Sequence, residues 1–111
     1  MVKSYIPNKG DIVWLNFTPQ SGHEQMGKRP ALVLSPKDYN SKVGLAIFCP
    51  ITSQKKGYPF EVALHAKKIS GVVLSDQVKS LDWSSRNIKY IEKASDSELK
   101  EVLDKLKVLL F

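Results

Sequence analysis

Residues 22–36 read GHEQMGKRPALVLSP, and the rest of the chain is organised around them. The first half carries a carboxylate, Glu24, and a guanidinium, Arg29, on a loop bracketed by two glycines, where the backbone turns sharply or approaches a ligand closely. The second half is a short apolar run that follows Pro30 and predicts a buried strand. A rigid core would therefore hold one end of a loop that carries chemistry, as is common for binding and catalytic loops.

Short apolar or alternating segments lie on both sides of this stretch, separated by Gly, Pro, Asn and Ser turns, and they predict a mainly β fold. The predicted strands cover residues 11–17, 31–35, 45–51, 60–64, 72–81 and 88–91. The polar segment 37–44 predicts a turn with one helical turn at most. Trp14, on the first strand, fits two positions: it completes the core, which is the commoner case, or it lies open as a platform for a stacked base.

One amphipathic helix closes the chain. Ser95 and Glu98 have the spacing of a capping box, and the apolar residues that follow recur at the i, i+3, i+4, i+7 positions of one helix face. That stripe consists of Leu99, Val102, Leu103, Leu106, Leu109 and Leu110. It is too short for a sustained coiled coil, so it predicts packing against the sheet. Short strands with one closing helix predict a small β-barrel or half-barrel.

The length of the chain and its net charge limit the number of domains and the type of partner. The chain has 111 residues, which predicts one compact domain, residues 1–111. Lys and Arg number 17 against 11 Asp and Glu, a formal net charge of +6. A polyanion is therefore a plausible partner, because Lys and Arg provide most phosphate contacts. A basic surface that only keeps the protein soluble is the equally simple alternative.

Cys49 is the only cysteine, which excludes an intrachain disulfide and a zinc–cysteine cluster and suits a reducing cytoplasm. It lies within an apolar run, so we expect a buried, inert thiol. The N-terminus has no apolar signal segment, and no apolar run approaches the ~18 residues of a membrane span. We expect a soluble cytoplasmic protein without membrane contact. Glycine-rich phosphate loops are absent as well, so no nucleotide cofactor is expected.

Glu24 and Arg29 could together cleave RNA without a metal. A base removes the proton of the 2′-hydroxyl, the oxygen attacks phosphorus, and a cation and further donors stabilise the charge that develops there. Glu24 suits the base, Arg29 suits bidentate binding of phosphate, and the Thr52 hydroxyl is a further donor at a strand end. On residue types alone, a loop salt bridge between Glu24 and Arg29 is the commoner arrangement.

Other polar residues are weaker candidates. His23 is better placed than His65 to protonate a leaving oxygen, although most loop histidines are simply solvated. Lys56 and Lys79 would most often be solvated charges. Asp76 and Gln77 interrupt an apolar strand pattern, and polar groups in such a place need partners or face a ligand.

Four separated motifs together carry a resemblance to a known family. They are GDIVW at 10–14, EQMGKRPALVLS at 24–35, GYPFEV at 57–62 and DQVKS at 76–80. In this order and spacing the chain resembles the MazF/PemK family of toxin endoribonucleases from bacterial toxin–antitoxin systems, over essentially its whole length. The resemblance implies an SH3-like barrel with a C-terminal helix, of the type that MazF, PemK and CcdB share.

The resemblance further implies a homodimer that cuts single-stranded RNA at a short sequence, independently of the ribosome and without a metal. The products would be a 2′,3′-cyclic phosphate and a 5′-hydroxyl, and an acidic MazE-like antitoxin would neutralise the protein. It implies Glu24 as base, Arg29 as catalytic cation and Thr52 as the hydroxyl beside the phosphate. The residues expected to bind RNA are Trp14, His23, Lys28, Ser53, Lys56, Asp76, Gln77 and Lys79.

Two rival functions remain open at this point. The first is a non-catalytic barrel that binds nucleic acid or protein through its basic face, since one fold serves many functions. The second is a gyrase-poisoning toxin of the same fold. A base beside a phosphate-binding cation favours RNA cleavage over both, because neither rival needs that pair.

Overall fold

A computed structural model describes residues 5–18 and 27–111 of the chain. Within these ranges seven strands form a curled, antiparallel sheet, and two α-helices accompany it. The strands are β1 (Asp11–Asn16), β2 (Lys28–Val33), β3 (Ala46–Thr52), β4 (Glu61–His65), β5 (Ser70–Leu74), β6 (Lys79–Leu81) and β7 (Lys89–Lys93). The helices are α1 (Lys37–Val43) and α2 (Asp96–Leu110), and 3-10 turns lie at Ser75–Gln77 and Trp83–Ser85.

The strand order is β4-β5-β3-β2-β1-β7, and β6 pairs with β3 as well. β3 changes partner along its length: residues 46–48 pair with β6, residues 48–50 with β2, and residues 51–52 with β5. Pro50 lies between the residues that pair with β6 and those that pair with β5. A proline has no N–H for the ladder, so it fits the point where the partner changes and the sheet curls.

Side chains cover both faces of the sheet. On one face, α2 packs through Val102 and Leu106 onto buried residues from five strands, Ile12, Leu32, Cys49, Ile51, Val62, Leu64 and Val73. The other face encloses a second core of Val13, Leu15, Ala31, Val33, Ala46 and Phe48. β1 and β2 contribute to both cores because successive strand residues point to opposite faces. This construction makes the middle of the sheet a rigid support for the residues at its strand ends.

Cys49 is fully buried in the first core, as expected. Its Sγ lies 3.8 Å from the backbone oxygen of Ser75. Burial raises the pKa of this thiol to about 12, because the apolar surroundings disfavour the thiolate. The thiol is therefore a small core side chain without nucleophilic character.

The predicted capping box begins α2. Ser95 Oγ accepts a hydrogen bond from the Glu98 N–H at 3.1 Å, and Glu98 Oε1 accepts one from the Ser95 N–H at 3.1 Å. The apolar stripe packs on the sheet only as far as Leu106. Leu109 and Leu110 are 48% and 66% exposed, so the prediction that they pack on the sheet is wrong. The last turn of α2 extends past the core and its apolar side chains face outward.

Three element boundaries differ from the sequence predictions. The single strand predicted at 72–81 is divided into β5, a 3-10 turn and β6, because β5 pairs with β4 while β6 pairs with the start of β3. α1 is longer than one turn, and Gly44 ends it in the left-handed conformation at φ 80°. β2 begins at Lys28 instead of Ala31, since Lys28 and Arg29 pair with Asn16 and Leu15 of β1. Arg29 therefore lies on a strand, not on the preceding loop as predicted.

Gly71 allows β5 to approach the end of β3. Its φ is +130°, and a Cβ built on it would lie 2.3 Å from the backbone oxygen of Thr52. We expect Gly71→Ala to lower the free energy of unfolding by about 3 kcal/mol, from a forbidden backbone conformation and a clash with main chain. Urea and thermal unfolding followed by circular dichroism measure this loss.

Gly44→Ala is the matched control for this prediction. Gly44 also has a positive φ, +80°, but a Cβ there would meet nothing within 4 Å. It should cost only the backbone strain, about 1 kcal/mol. Equal losses for the two variants would show that the close approach to Thr52 contributes nothing.

Candidate active site

Arg29 is exposed near the start of β2, opposite Leu15 of β1. Three clefts share its side chain as a lining group. We call these three clefts together the Arg29 groove. A guanidinium in this position offers a fixed fork of donors to an anion that enters from any of the three.

The first cleft, of about 510 Å³, places a hydroxyl near Arg29. Thr52 ends β3, and its Oγ1 accepts a hydrogen bond from the Gln54 N–H at 3.1 Å. Because this bond uses a lone pair, the hydroxyl hydrogen of Thr52 remains available for an incoming acceptor. The cleft is lined by Trp14, Arg29, Pro30, Ile51, Thr52, Ser53, Gln54, Ile69 and Ser70.

The second cleft, of about 150 Å³, adds a lysine and an aromatic ring. Lys79 Nζ lies 5.8 Å from the centroid of the Phe17 ring, within the range of a cation–π contact. An ammonium beside an open aromatic face suits a nucleotide, which offers both phosphate and base. The cleft is lined by Phe17, Thr18, Gly27, Arg29, Pro50, Gln77 and Lys79.

The third cleft, of about 160 Å³, lies against the segment that joins β3 to β4. There the Tyr58 hydroxyl donates to Asp76 Oδ1 at 2.8 Å, and this bond to a carboxylate raises the pKa of Tyr58. The cleft is lined by Arg29, Thr52, Gln54, Lys56, Tyr58, Glu61, Leu74 and Gln77. It mixes cationic, amide and phenolic donors with a carboxylate, so it differs in chemistry from a simple phosphate site.

Most of the sequence-predicted residues that the structure describes come together in the Arg29 groove. They are Trp14, Arg29, Thr52, Ser53, Lys56, Gln77 and Lys79. Asp76 adjoins them through Tyr58. Glu24 and His23 lie outside the described residues, and so does the alternative salt bridge between Glu24 and Arg29.

Trp14 and Lys28 lie at one end of this arrangement. Trp14 belongs to neither core cluster and is half-buried at the wall of the first cleft, so the open position fits it better than the core position. Lys28 lies outside the groove, in a cleft of about 220 Å³ that also includes Asn16, Asn87 and Lys89. Its Nζ nevertheless approaches within 5.6 Å of the centroid of the Trp14 ring.

Sequence reasoning missed several residues that line the groove, among them Phe17, Gln54, Tyr58 and Glu61. Phe17 is half-buried, so that it packs against the second core and also lines the second cleft. The motif at 57–62 contains Tyr58 and Glu61, yet composition alone gives no sign that these residues share a cleft with Arg29. Tyr58 bonds a carboxylate far along the chain, at Asp76, and Glu61 bonds backbone amides of a segment without regular structure, so neither bond could be found without the fold.

A further cleft, of about 580 Å³, lies elsewhere, between β4, β7 and the start of α2. Two of the carboxylates that line it, those of Glu98 and Glu92, are already engaged. Glu98 accepts from the His65 N–H at 2.7 Å, and Glu92 accepts from three backbone N–H groups at residues 67–69. Desolvation raises the pKa of Glu92, but these backbone hydrogen bonds outweigh it and lower the pKa. The Glu98 and Glu92 carboxylates therefore have a structural role in this cleft.

Within residues 5–18 and 27–111, no group of three or more His, Cys, Asp and Glu side chains is arranged to hold a metal ion. None of the helices in these ranges is long and apolar enough to cross a membrane.

Comparisons with known proteins agree with the geometry. A family profile described as PemK-like, MazF-like toxin of type II toxin–antitoxin system matches residues 8–110. The chain is 46% identical over 110 residues to the endoribonuclease toxin MazF of Escherichia coli K12, covering 99% of each chain. It is 40% identical over 116 residues to the endoribonuclease toxin ChpB of the same organism, again covering 99% of each chain.

Solved structures have the same fold. MazF of Deinococcus radiodurans superposes with a TM-score of 0.87 and 56% identity, over 96% of this chain and 98% of that chain. A MazE–MazF crystal structure from the same organism gives a TM-score of 0.86 and 50% identity, over 96% and 97%. The predicted fold, a small SH3-like barrel of the MazF/PemK type with a C-terminal helix, is confirmed.

Proposed function

The chain belongs to the family of PemK-like, MazF-like toxins of type II toxin–antitoxin systems, and from this premise we propose that it is a sequence-specific endoribonuclease. It cleaves single-stranded RNA independently of the ribosome, as an mRNA interferase. The observation that carries this proposal is the position of Arg29 at the junction of three clefts, with Thr52 and Lys79 beside it. The names of the relatives, endoribonuclease toxins, support the same activity.

The proposed reaction is a transesterification that needs no metal. Glu24 accepts the proton of the 2′-hydroxyl, the 2′-oxygen forms a bond to phosphorus, and the bond from phosphorus to the 5′-oxygen breaks. The leaving oxygen takes up a proton, so the products are a 2′,3′-cyclic phosphate and a 5′-hydroxyl. Arg29 and the Thr52 hydroxyl stabilise the charge that builds up on the phosphoryl oxygens. Single-stranded RNA is the expected substrate because its bases and 2′-hydroxyl are free to reorient.

The remaining groove residues bind the RNA on either side of the cleaved phosphate. Lys56 and Lys79 lie beside Arg29 and suit neighbouring phosphates, while Trp14 presents an aromatic wall for a base. Ser53 and Gln77 are hydrogen-bonding groups in the groove, and Asp76 adjoins the groove through Tyr58. His23 and Lys28 complete the proposed RNA-binding set.

An acidic MazE-like antitoxin is the proposed protein partner. Crystal structures of MazE–MazF from Deinococcus radiodurans include a chain that is 50% identical to this one, and an acidic segment would compete with RNA for the same basic groove. A homodimer is also proposed. The exposed apolar side chains at the end of α2 support it, because an apolar patch of this kind is typical of an interface. The cytoplasm, where mRNA is found, is the proposed location.

The test is incubation of the purified protein with a long single-stranded RNA in EDTA, followed by mapping of both new ends. We expect discrete cuts at one short sequence, with 2′,3′-cyclic phosphate and 5′-hydroxyl ends. Binding without cutting would favour a non-catalytic barrel, and inhibition of gyrase without RNA cleavage would favour a gyrase-poisoning toxin. Cutting that requires added Mg²⁺ would contradict the metal-free mechanism.

A further inference from the structure

We propose that Glu61 is a positioning residue that orders the RNA-binding segment between β3 and β4 before RNA arrives. This segment, residues 53–60, supplies Gln54, Lys56 and Tyr58 to the third cleft of the groove. Glu61 begins β4 and faces the segment. The inference rests on the proposed function, since it assigns Glu61 to the same RNA-binding groove.

Both oxygens of the Glu61 carboxylate are engaged with the backbone of the segment. Oε2 accepts from the Lys56 N–H at 2.8 Å, and Oε1 accepts from the Gly57 N–H at 2.9 Å. Hydrogen bonds to an ionised acceptor are stronger than those between neutral groups. Gly57 has a φ of +83°, so the backbone turns in a way that points two successive N–H groups at one carboxylate. Such a pair of amides is a small anion site, and Glu61 fills it.

The segment has few other attachments. It has no helical or strand structure between residues 54 and 58. The contacts that remain are the Thr52–Gln54 and Tyr58–Asp76 hydrogen bonds, a 3.2 Å bond from the Glu61 N–H to Tyr58 O, a 3.0 Å bond from the Ser75 N–H to Phe60 O, and a 2.6 Å bond from Lys105 Nζ to Pro59 O, none of which engages the backbone of Lys56 or Gly57. The Glu61 carboxylate is thus what fixes the backbone at Lys56 and Gly57.

A carboxylate in the cleft of Arg29 is not suited to contact phosphate, because the two negative charges repel each other. Glu61 lies in the wall of the cleft that contains Arg29, but its two oxygens point to the segment's backbone. It lies within salt-bridge distance of none of the described lysine and arginine side chains. Its charge is therefore used to hold amides, and through them the positions of Lys56 and Tyr58.

This role predicts an effect on binding and little effect on chemistry. Without Glu61 the segment samples many conformations, and RNA must select the competent one, which raises the apparent dissociation constant by the inverse of the competent fraction. Once RNA is bound, the segment is ordered by RNA itself. We expect Glu61→Ala to raise both KM and the Kd of a substrate analogue without the attacking 2′-hydroxyl about tenfold, with kcat within about twofold of wild type.

Three further variants sharpen the test. Glu61→Gln keeps one acceptor oxygen but presents an NH₂ group to the second amide, so its KM should lie between those of wild type and Glu61→Ala. Glu101→Gln removes one exposed carboxylate from α2 and should leave KM unchanged, which controls for net charge. Glu98→Ala removes a carboxylate that also holds two backbone N–H groups, at His65 and Ser95, but far from the groove. It should lower the unfolding temperature without changing KM.

Amide hydrogen exchange in the free protein gives a direct readout. Lys56 and Gly57 should lose protection in Glu61→Ala while the amides of β3 and β4 keep theirs. Loss of protection with unchanged KM and Kd would overturn the proposal, and so would a fall in kcat with KM unchanged, which would place Glu61 in the chemistry. A wild-type protein that binds RNA but does not cut it would refute the endoribonuclease proposal alone, since the Kd of the analogue would still test Glu61.

Discussion

Replacing Arg29 with alanine is expected to lower kcat for RNA cleavage by about 10³-fold, the loss typical when a cation or donor is removed from a developing phosphoryl or oxyanion charge. The side chain is exposed and lies in all three clefts of the groove, so its removal leaves no cavity in either core. The free energy of unfolding should therefore stay within about 0.5 kcal/mol of wild type. Single-turnover cleavage at saturating RNA and urea unfolding measure the two quantities.

Arg29→Lys is the matched control because it keeps the charge and loses the planar fork. A lysine binds phosphate as a point charge and cannot donate two parallel hydrogen bonds. We expect it to recover part of the RNA affinity but little of kcat. Cleavage by Arg29→Ala within tenfold of wild type would remove Arg29 from the mechanism and shift its role to binding alone.

Hydrophobic pattern and turn residues were sufficient to predict the architecture. The capping box at Ser95 and Glu98, the alternation in β4 and the continuous apolar run in β2 each depend on contacts close in sequence, and all three are observed. The errors occur where a distant partner decides the structure. β2 begins early because β1 pairs with Lys28 and Arg29, and strand 72–81 is divided because its two halves pair with different strands.

The candidate site was predicted only in part, again because some of its contacts are defined only when the chain folds. Arg29 lies within the motif at 24–35 and Thr52 follows a predicted strand, so the sequence could identify both as candidates. Tyr58 and Glu61 were missed because their partners, Asp76 and the backbone at Lys56 and Gly57, are defined only when the segment after β3 folds back. The exposure of Leu109 and Leu110 was missed because a stripe shows which face is apolar but not how far the sheet extends.

Glu24→Gln should abolish cleavage and retain RNA binding. Glutamine has nearly the same shape but cannot accept the 2′-hydroxyl proton at neutral pH, and loss of a general base costs about 10² to 10⁴-fold in rate. Affinity for RNA should be equal or slightly higher, since one negative charge near phosphate is removed. The measurements are cleavage in EDTA and the Kd of the uncleaved RNA. Cleavage by Glu24→Gln within threefold of wild type would show that another group is the base.

The double variant Glu24→Gln with Arg29→Ala then tests whether the two residues act on one transition state. If Glu24 creates the charge on the attacking oxygen and Arg29 stabilises it on the phosphoryl group, each is of little use without the other. Residues that act as a unit are strongly non-additive, so the double variant should be no more than about tenfold slower than the slower single variant. Fully additive losses, about 10⁶-fold in total, would mean that the two residues contribute independently. Arg29 would then be a residue that binds RNA near the cleaved phosphate without taking part in the reaction.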